Sequence, residues 1–207
     1  MKLYFAPGAC SLSPHIALLE AGIAASYVKV DTKTHKVEDG SDFYGVNPKG
    51  YVPVLELDDG QRLTEGPAIV QYIADQKPAS GLAPPAGSME RYRVQEWLNF
   101  ITAELHKQFG PLFQAATPAD FKNSQKEKIS KRFDWVAGEL KDRDYLLGPQ
   151  FTVADGYLFV ILQWTDRVGI DLKRWPVLFA YRARIAARPK VREAMIAEGL
   201  LKEHVTA

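Results

Sequence analysis

The alternating apolar and polar pattern of β-strands occurs only in the first third of this 207-residue chain; beyond it, apolar residues recur at helical spacing. That asymmetry restricts the fold to a sheet-bearing unit followed by a helical one. Residues 2–5 alternate and end at Ala6-Pro7-Gly8, which predicts a short strand entering a tight turn. A helix follows, with Ser11 or Ser13 as its cap, Pro14 in its first turn and Ile16, Leu18 and Leu19 on its apolar face before Gly22. Residues 27–31 read as a second strand. Residues 53–57 and 62–64 flank Asp58-Asp59-Gly60, whose turn residues tolerate positive φ and predict a hairpin. A further helix begins at Gly66-Pro67 and runs to about residue 76. The order predicts a small mixed sheet of four strands with helices on its faces, an α/β domain over residues 1–80.

Residues 77–88 collect Pro78, Gly81, Pro84, Pro85 and Gly87 and predict a linker. After it, residues 81–207 read as an all-helical domain. One long helix is predicted over 88–113, anchored by Tyr92, Phe100, Ile101 and Leu105, and a more charged one over 119–142. Thr152-Val153-Ala154-Asp155 matches a capping box ahead of an apolar run to Trp164, the pattern of a buried central helix. Shorter helices are predicted near 176–187 and 190–197.

Composition excludes several classes. At 46% hydrophobic and 25% charged the chain is an ordinary globular one, and a net charge of +1 provides no field to hold nucleic acid or an acidic membrane. Its single cysteine forms neither an internal disulfide nor a thiolate zinc cluster. The polar residues and Pro7-Gly8 near the start leave no room for the apolar core of a signal peptide, so a cytoplasmic location is expected. The apolar stretch over 153–162 is well short of the ~20 residues that span a bilayer.

Cys10 stands at the start of the first predicted helix, where backbone N–H groups favour a thiolate; the plain alternative is a small buried hydrophobe. Ser11 and Ser13 either cap that helix or donate to an anion beside it. Tyr51-Val52-Pro53 precedes a strand. A cis Pro53 would leave the Val52 backbone open to an extended peptide ligand, whereas a trans proline merely opens the strand. Glu65-Gly66 can clamp a ligand, with bare N–H groups for a carboxylate and the acid for an amine, or simply start the helix. Asn99 and His106, seven residues apart, share one helix face with Glu104 on a neighbouring stripe; the alternative is a solvated face. His15, His35 and His204 have no metal-ligand spacing, so no metal site is expected.

Taken in order, these segments resemble the cytosolic glutathione transferases, specifically the bacterial beta class. The resemblance rests on Met1-Lys2-Leu3-Tyr4, Pro7-Gly8-Ala9-Cys10-Ser11, Val46-Asn47-Pro48-Lys49-Gly50, Val52-Pro53-Val54-Leu55, Thr64-Glu65-Gly66-Pro67-Ala68-Ile69, Glu96-Trp97-Leu98-Asn99, Glu104-Leu105-His106-Lys107 and Phe151-Thr152-Val153-Ala154-Asp155. It implies a thioredoxin-like first domain, an all-helical second one and a homodimer. It further implies glutathione as co-substrate and conjugation of its sulfur to apolar electrophiles. Cys10, Ser11 and His106 would then act at the thiol, with Tyr51, Val52, cis Pro53, Glu65 and Gly66 along the peptide. Asn99 and Glu104 would reach the neighbouring subunit's ligand, and Trp164 would wall the electrophile pocket. Two departures stand out: Gly66 replaces the Ser or Thr of many relatives, and His35 replaces a Lys near the glycine carboxylate. A glutaredoxin-like thiol–disulfide oxidoreductase using Cys10, and a non-catalytic glutathione-binding protein, are the rival expectations.

Overall fold

The structure is a computed structural model, in which residues 1–202 are described; His204 lies outside them. The chain forms two compact units, Met1–Ala83 together with the segment from Ala187 onward, and Pro84–Ala186.

In the first unit, β1 (Lys2–Phe5), β2 (Ser26–Asp31), β3 (Lys36–Val37), β4 (Val54–Glu56) and β5 (Arg62–Thr64) form a sheet of order β3-β2-β1-β4-β5. β1 pairs parallel to β2, and every other pairing is antiparallel. The register sets Leu3 against Leu55 and Tyr4 against Val54. Because side chains alternate, these two pairs feed opposite faces. Tyr4 and Val54 join Val30, Val37, Val52 and Phe43 in one apolar cluster. Leu3 and Leu55 are fully buried on the other face. α1 (Leu12–Ala21), α2 (Gly66–Gln76) and α9 (Pro189–Ala197) supply Ile16, Leu18, Ile69, Ile73, Val191 and Ala194 as further core. Gly22 ends α1 in the left-handed conformation that glycine adopts without steric penalty.

Three features of this unit differ from the reading of the sequence. A fifth strand, β3, is present; at two residues it is too short to show alternation. Neither serine caps α1: the fully buried Ser11 hydroxyl donates to the Ala6 carbonyl at 3.2 Å and accepts from the Ala6 N–H at 3.1 Å. The buried Ser13 hydroxyl has no partner among the described residues. Finally, α9 packs with α1 in the first unit rather than in a domain spanning 81–207, held by the Arg188–Glu20 ion pair at 2.7 Å. An amphipathic face announces that a helix is buried, not against what.

The second unit holds α3 (Met89–Phe100), α4 (Lys107–Phe113), α5 (Ala119–Glu139), α6 (Val153–Gln163), α7 (Thr165–Val168) and α8 (Pro176–Ala186). The long helix expected over 88–113 is interrupted by a π-helical segment, Ile101–His106, between α3 and α4. A π turn inserts residues without breaking the apolar run, so the sequence pattern passes through it undisturbed. α6 is buried from Val153 through Leu162 and carries the capping box at Thr152 and Asp155. Asp155 accepts from the N–H groups of Leu146 and Thr152 and from the hydroxyls of Thr152 and Tyr181, all within 2.9 Å. Burial pushes the Asp155 carboxyl pKa up against the opposing pull of those four donors. Among the described residues no helix is long and apolar enough to cross a membrane.

Candidate active site

The turn between β1 and α1 carries Cys10. Since α1 begins at Leu12, the thiol stands just ahead of the helix. Its S–H donates to the Val52 carbonyl, with Sγ 3.3 Å from the oxygen, so the thiol faces the loop that precedes β4. The double bond of Ser11 with Ala6 fixes the turn from behind. Ser11, expected at the catalytic sulfur, is therefore a brace: its hydroxyl is sealed inside the unit. A second brace had no signal in the sequence. Buried Glu198 accepts from the Gly8 N–H at 2.8 Å and hydrogen-bonds His15 Nδ1 at 2.9 Å, closing a separation of 190 residues.

Val52, across from the thiol, lies outside the sheet, because the ladder begins at Val54, opposite Tyr4 and Thr64. The Val52–Pro53 peptide is cis. The loop before it is built by Asn47, whose side-chain NH2 donates to the Tyr51 carbonyl at 2.7 Å and whose side-chain carbonyl accepts from the Lys49 N–H at 3.2 Å. Gly50 is required there on two counts. Its φ is +70°, and a Cβ would stand 2.8 Å from the Tyr44 ring and 3.0 Å from His35 Nδ1. His35 is thereby tied to this loop, its Nδ1 3.1 Å from the Gly50 carbonyl and its ring 4.7 Å from that of Tyr44. Tyr51 projects outward, 68% exposed.

Glu65 precedes α2 at φ +68°, a region that side chains other than glycine rarely occupy. Its carboxylate makes no capping bond to the helix it precedes. It is 69% exposed and pairs with the Lys49 ammonium, which also donates to the Thr64 hydroxyl at 3.0 Å. Gly66 is the first residue of α2, where backbone N–H groups lack intrahelical acceptors. Cys10, Val52, Pro53, Glu65, Gly66 and Tyr51 thus share the first unit, on the turn before α1, the loop before β4 and the start of α2, and His35, in the turn between β2 and β3, meets that loop at Gly50.

The other candidates belong to the second unit. His106 ends the π-helical segment, hydrogen-bonded through Nδ1 to the Tyr157 hydroxyl of α6. Its ring meets Trp164 edge-on at a centroid distance of 4.9 Å. Trp164 is buried among His106, Phe109 and Phe113, an aromatic cluster. Asn99 is exposed and donates to the Gln95 carbonyl at 2.9 Å. Glu104 pairs with Arg132 Nε at 2.8 Å. Tyr157, the partner of His106, carries no signal in the sequence, because it lies inside an apolar run where a tyrosine reads as core. Among the described residues no group of three or more His, Cys, Asp and Glu side chains is placed to hold a metal ion.

Comparison with known proteins names the architecture. Residues 8–76 match the glutathione S-transferase N-terminal domain, and residues 100–189 match the glutathione S-transferase C-terminal domain. The chain is 46% identical over 200 residues to glutathione S-transferase GstA of Escherichia coli O157:H7, covering 97% of this chain and 100% of that protein. A ternary complex of BphK, a bacterial GST, superposes with a TM-score of 0.95 at 55% identity, covering 97% of this chain and 100% of that one. A sphingomonad glutathione S-transferase complexed with glutathione superposes at 0.94 with 51% identity and the same coverage. A beta-class enzyme from Sphingomonas chungbukensis does so equally well, again at 0.94 and 51%. With a thioredoxin-like sheet unit and a helical C-terminal unit, the chain belongs to the glutathione S-transferase family.

Proposed function

We propose that this glutathione S-transferase binds glutathione as an extended peptide along the loop before β4 and joins its sulfur to small apolar electrophiles. The observation that carries the reading is the trio of Cys10, Val52 and Glu65: a thiol, a main-chain segment outside the ladder and an outward carboxylate, all presented by one sheet unit. The Val52 main chain pairs with the cysteinyl residue, adding a strand in effect. Glu65 and the N–H groups at the start of α2 take the γ-glutamyl end, and His35 takes the glycine carboxylate. Gly66 supplies a backbone donor but no hydroxyl.

In the reaction, the glutathione thiol gives its proton to solvent, its sulfur bonds to the electrophilic carbon, and the leaving group departs with the electron pair of the broken bond. Favouring the thiolate by one pKa unit needs about 1.4 kcal/mol, within reach of one or two oriented donors. Cys10 suits that task as a neutral donor once its single S–H turns from the Val52 carbonyl to the bound sulfur; its own thiolate would be a like charge opposing ionisation of that sulfur. His106, held by Tyr157, is the second group assigned to the thiol, and Trp164 with its aromatic neighbours lines the electrophile pocket. Asn99 and Glu104 serve the ligand of the partner in a homodimer. The location proposed with this activity is the cytoplasm.

Replacing Cys10 separates conjugation from redox chemistry. Cys10→Ala is expected to keep a substantial part of the turnover of a chlorodinitrobenzene-type electrophile while losing most reduction of hydroxyethyl disulfide. Intact mass after treatment with oxidised glutathione should show one adduct on the native chain and none on the variant. Conjugation reduced to background, with glutathione affinity unchanged, would make Cys10 indispensable to transfer and overturn this division of labour.

A further inference from the structure

Building on the reading of Glu65 as the seat of the γ-glutamyl amine, we infer that Lys49 is a second binding residue at that end. It holds the ligand's α-carboxylate, so that the Lys49–Glu65 pair selects ligands with an intact zwitterionic amino-acid terminus. The Lys49 ammonium donates to the Thr64 hydroxyl at 3.0 Å and to Glu65 Oε1, spanning the end of β5 and the residue that precedes α2. An ammonium carries three donors, so one N–H is left for a further acceptor. Both side chains reach solvent, at 48% and 69% exposure, so an incoming molecule meets both charges at once. Lys49 is not a loosely placed surface lysine: its own N–H is bonded to Asn47, and the next residue is the conformationally required Gly50.

Charge balance gives the pair its selectivity. Glu65 alone would present one negative charge and welcome any amine. With Lys49 in contact, an incoming ammonium approaches a carboxylate that already has a cation beside it, and the two cations repel. A carboxylate carried by the same ligand removes that conflict by meeting Lys49 while the ammonium meets the remaining lone pairs of Glu65. The free α-amino-acid end of a γ-glutamyl peptide has both groups on one carbon and no net charge, as the pair itself has none. A ligand with only one of the two leaves one member of the pair opposed.

The test uses calorimetry on the full-length protein with glutathione and with two analogues, 4-aminobutyryl-cysteinyl-glycine, which lacks the α-carboxylate, and glutaryl-cysteinyl-glycine, which lacks the amine. The native protein is expected to prefer glutathione over the first analogue by about tenfold, the scale of one charge-assisted contact at an exposed site. In Lys49→Gln that preference should shrink to about threefold, the part kept by the N–H groups at the start of α2, through weaker glutathione binding with the decarboxylated analogue unchanged or tighter. Lys49→Arg should restore it. Equal weakening of glutathione and the analogue in Lys49→Gln would reduce Lys49 to a brace of the loop and overturn the inference. Undiminished glutathione affinity would do the same, leaving only a surface ion pair. Failure of the native protein to bind any of the three at millimolar concentration would instead remove the glutathione site itself, and Lys49 with it; near-ultraviolet circular dichroism of each variant keeps these results separate from misfolding.

Discussion

Among the acidic residues at the starts of helices, Asp155 and Glu65 are used in opposite ways. Asp155, in the first turn of α6, is fully buried and turned back onto its own surroundings, where four donors converge on its carboxylate. Glu65, immediately ahead of α2, makes no capping bond, is mostly exposed, and sits at a φ of +68°. The first geometry spends the carboxylate's accepting capacity on four internal donors and leaves none to offer a ligand. The second leaves the helix start unsatisfied by side chains, holds the backbone in a sparsely populated region, and presents a charge outward. Residues that stabilise a fold consume their hydrogen-bonding capacity internally, whereas residues that bind keep it available.

The sharpest break of this comparison is Asp155→Ala. It strands four donors in a dry interior and removes the cap of a buried helix, so it should cost roughly 3 kcal/mol or more. For a chain of this length that is a fall of about 10 °C in melting temperature. The KM for glutathione of the fraction that remains folded should be unchanged. An unaltered melting temperature with activity lost would place Asp155 at the chemistry and erase the contrast.

Glu65→Gln tests the other half. An exposed pair with Lys49 contributes little, so stability should stay within about 0.5 kcal/mol of the native value. Glutathione affinity should fall about tenfold, because a charge-assisted contact to the ligand amine becomes a neutral one. Calorimetric titration and a urea melt on the same sample separate the two quantities. A loss of stability matching that of Asp155→Ala, with affinity intact, would show that Glu65 is a cap after all.

The same contrast explains what could be read from residues alone. The α6 cap is local: Thr152 and Asp155 are three apart, and the capping-box pattern encodes the hydrogen bonds almost directly. Cys10, Val52 and Glu65 were equally visible, each beside a turn signal at the edge of a strand or helix. What stayed hidden depends on distance or on a choice between partners. Nothing near Gly8 announces that its N–H is met by Glu198, and nothing near α9 announces that it belongs to the sheet unit. Ser11 looks like a cap because serine before a helix usually is one, yet its hydroxyl had another backbone within reach at Ala6 and took both of that residue's polar groups. Lys49 lies in a loop whose polar residues read as solvated; its meeting with Glu65 follows from how Asn47 and Gly50 fold that loop.

The smallest effect isolates the backbone at Glu65. If its conformation is retained for the sake of the carboxylate, glycine at the same position should relieve the strain while abolishing the contact with ligand. A side chain in a sparsely populated positive-φ region costs on the order of 1–3 kcal/mol, and the greater freedom of glycine in the unfolded chain returns roughly 0.5–1 kcal/mol of that. Comparing Glu65→Gly with Glu65→Gln cancels most of the loss of the Lys49 ion pair, since neither variant keeps the charge. Glu65→Gly is therefore expected to be the more stable of the two by about 1 kcal/mol in urea unfolding, and to bind glutathione no better than Glu65→Gln. Equal stability of the two variants would mean that the left-handed geometry is free of strain here. Glu65 would then be an outward acid without a conformational cost, and the opposition between it and Asp155 would rest on burial alone.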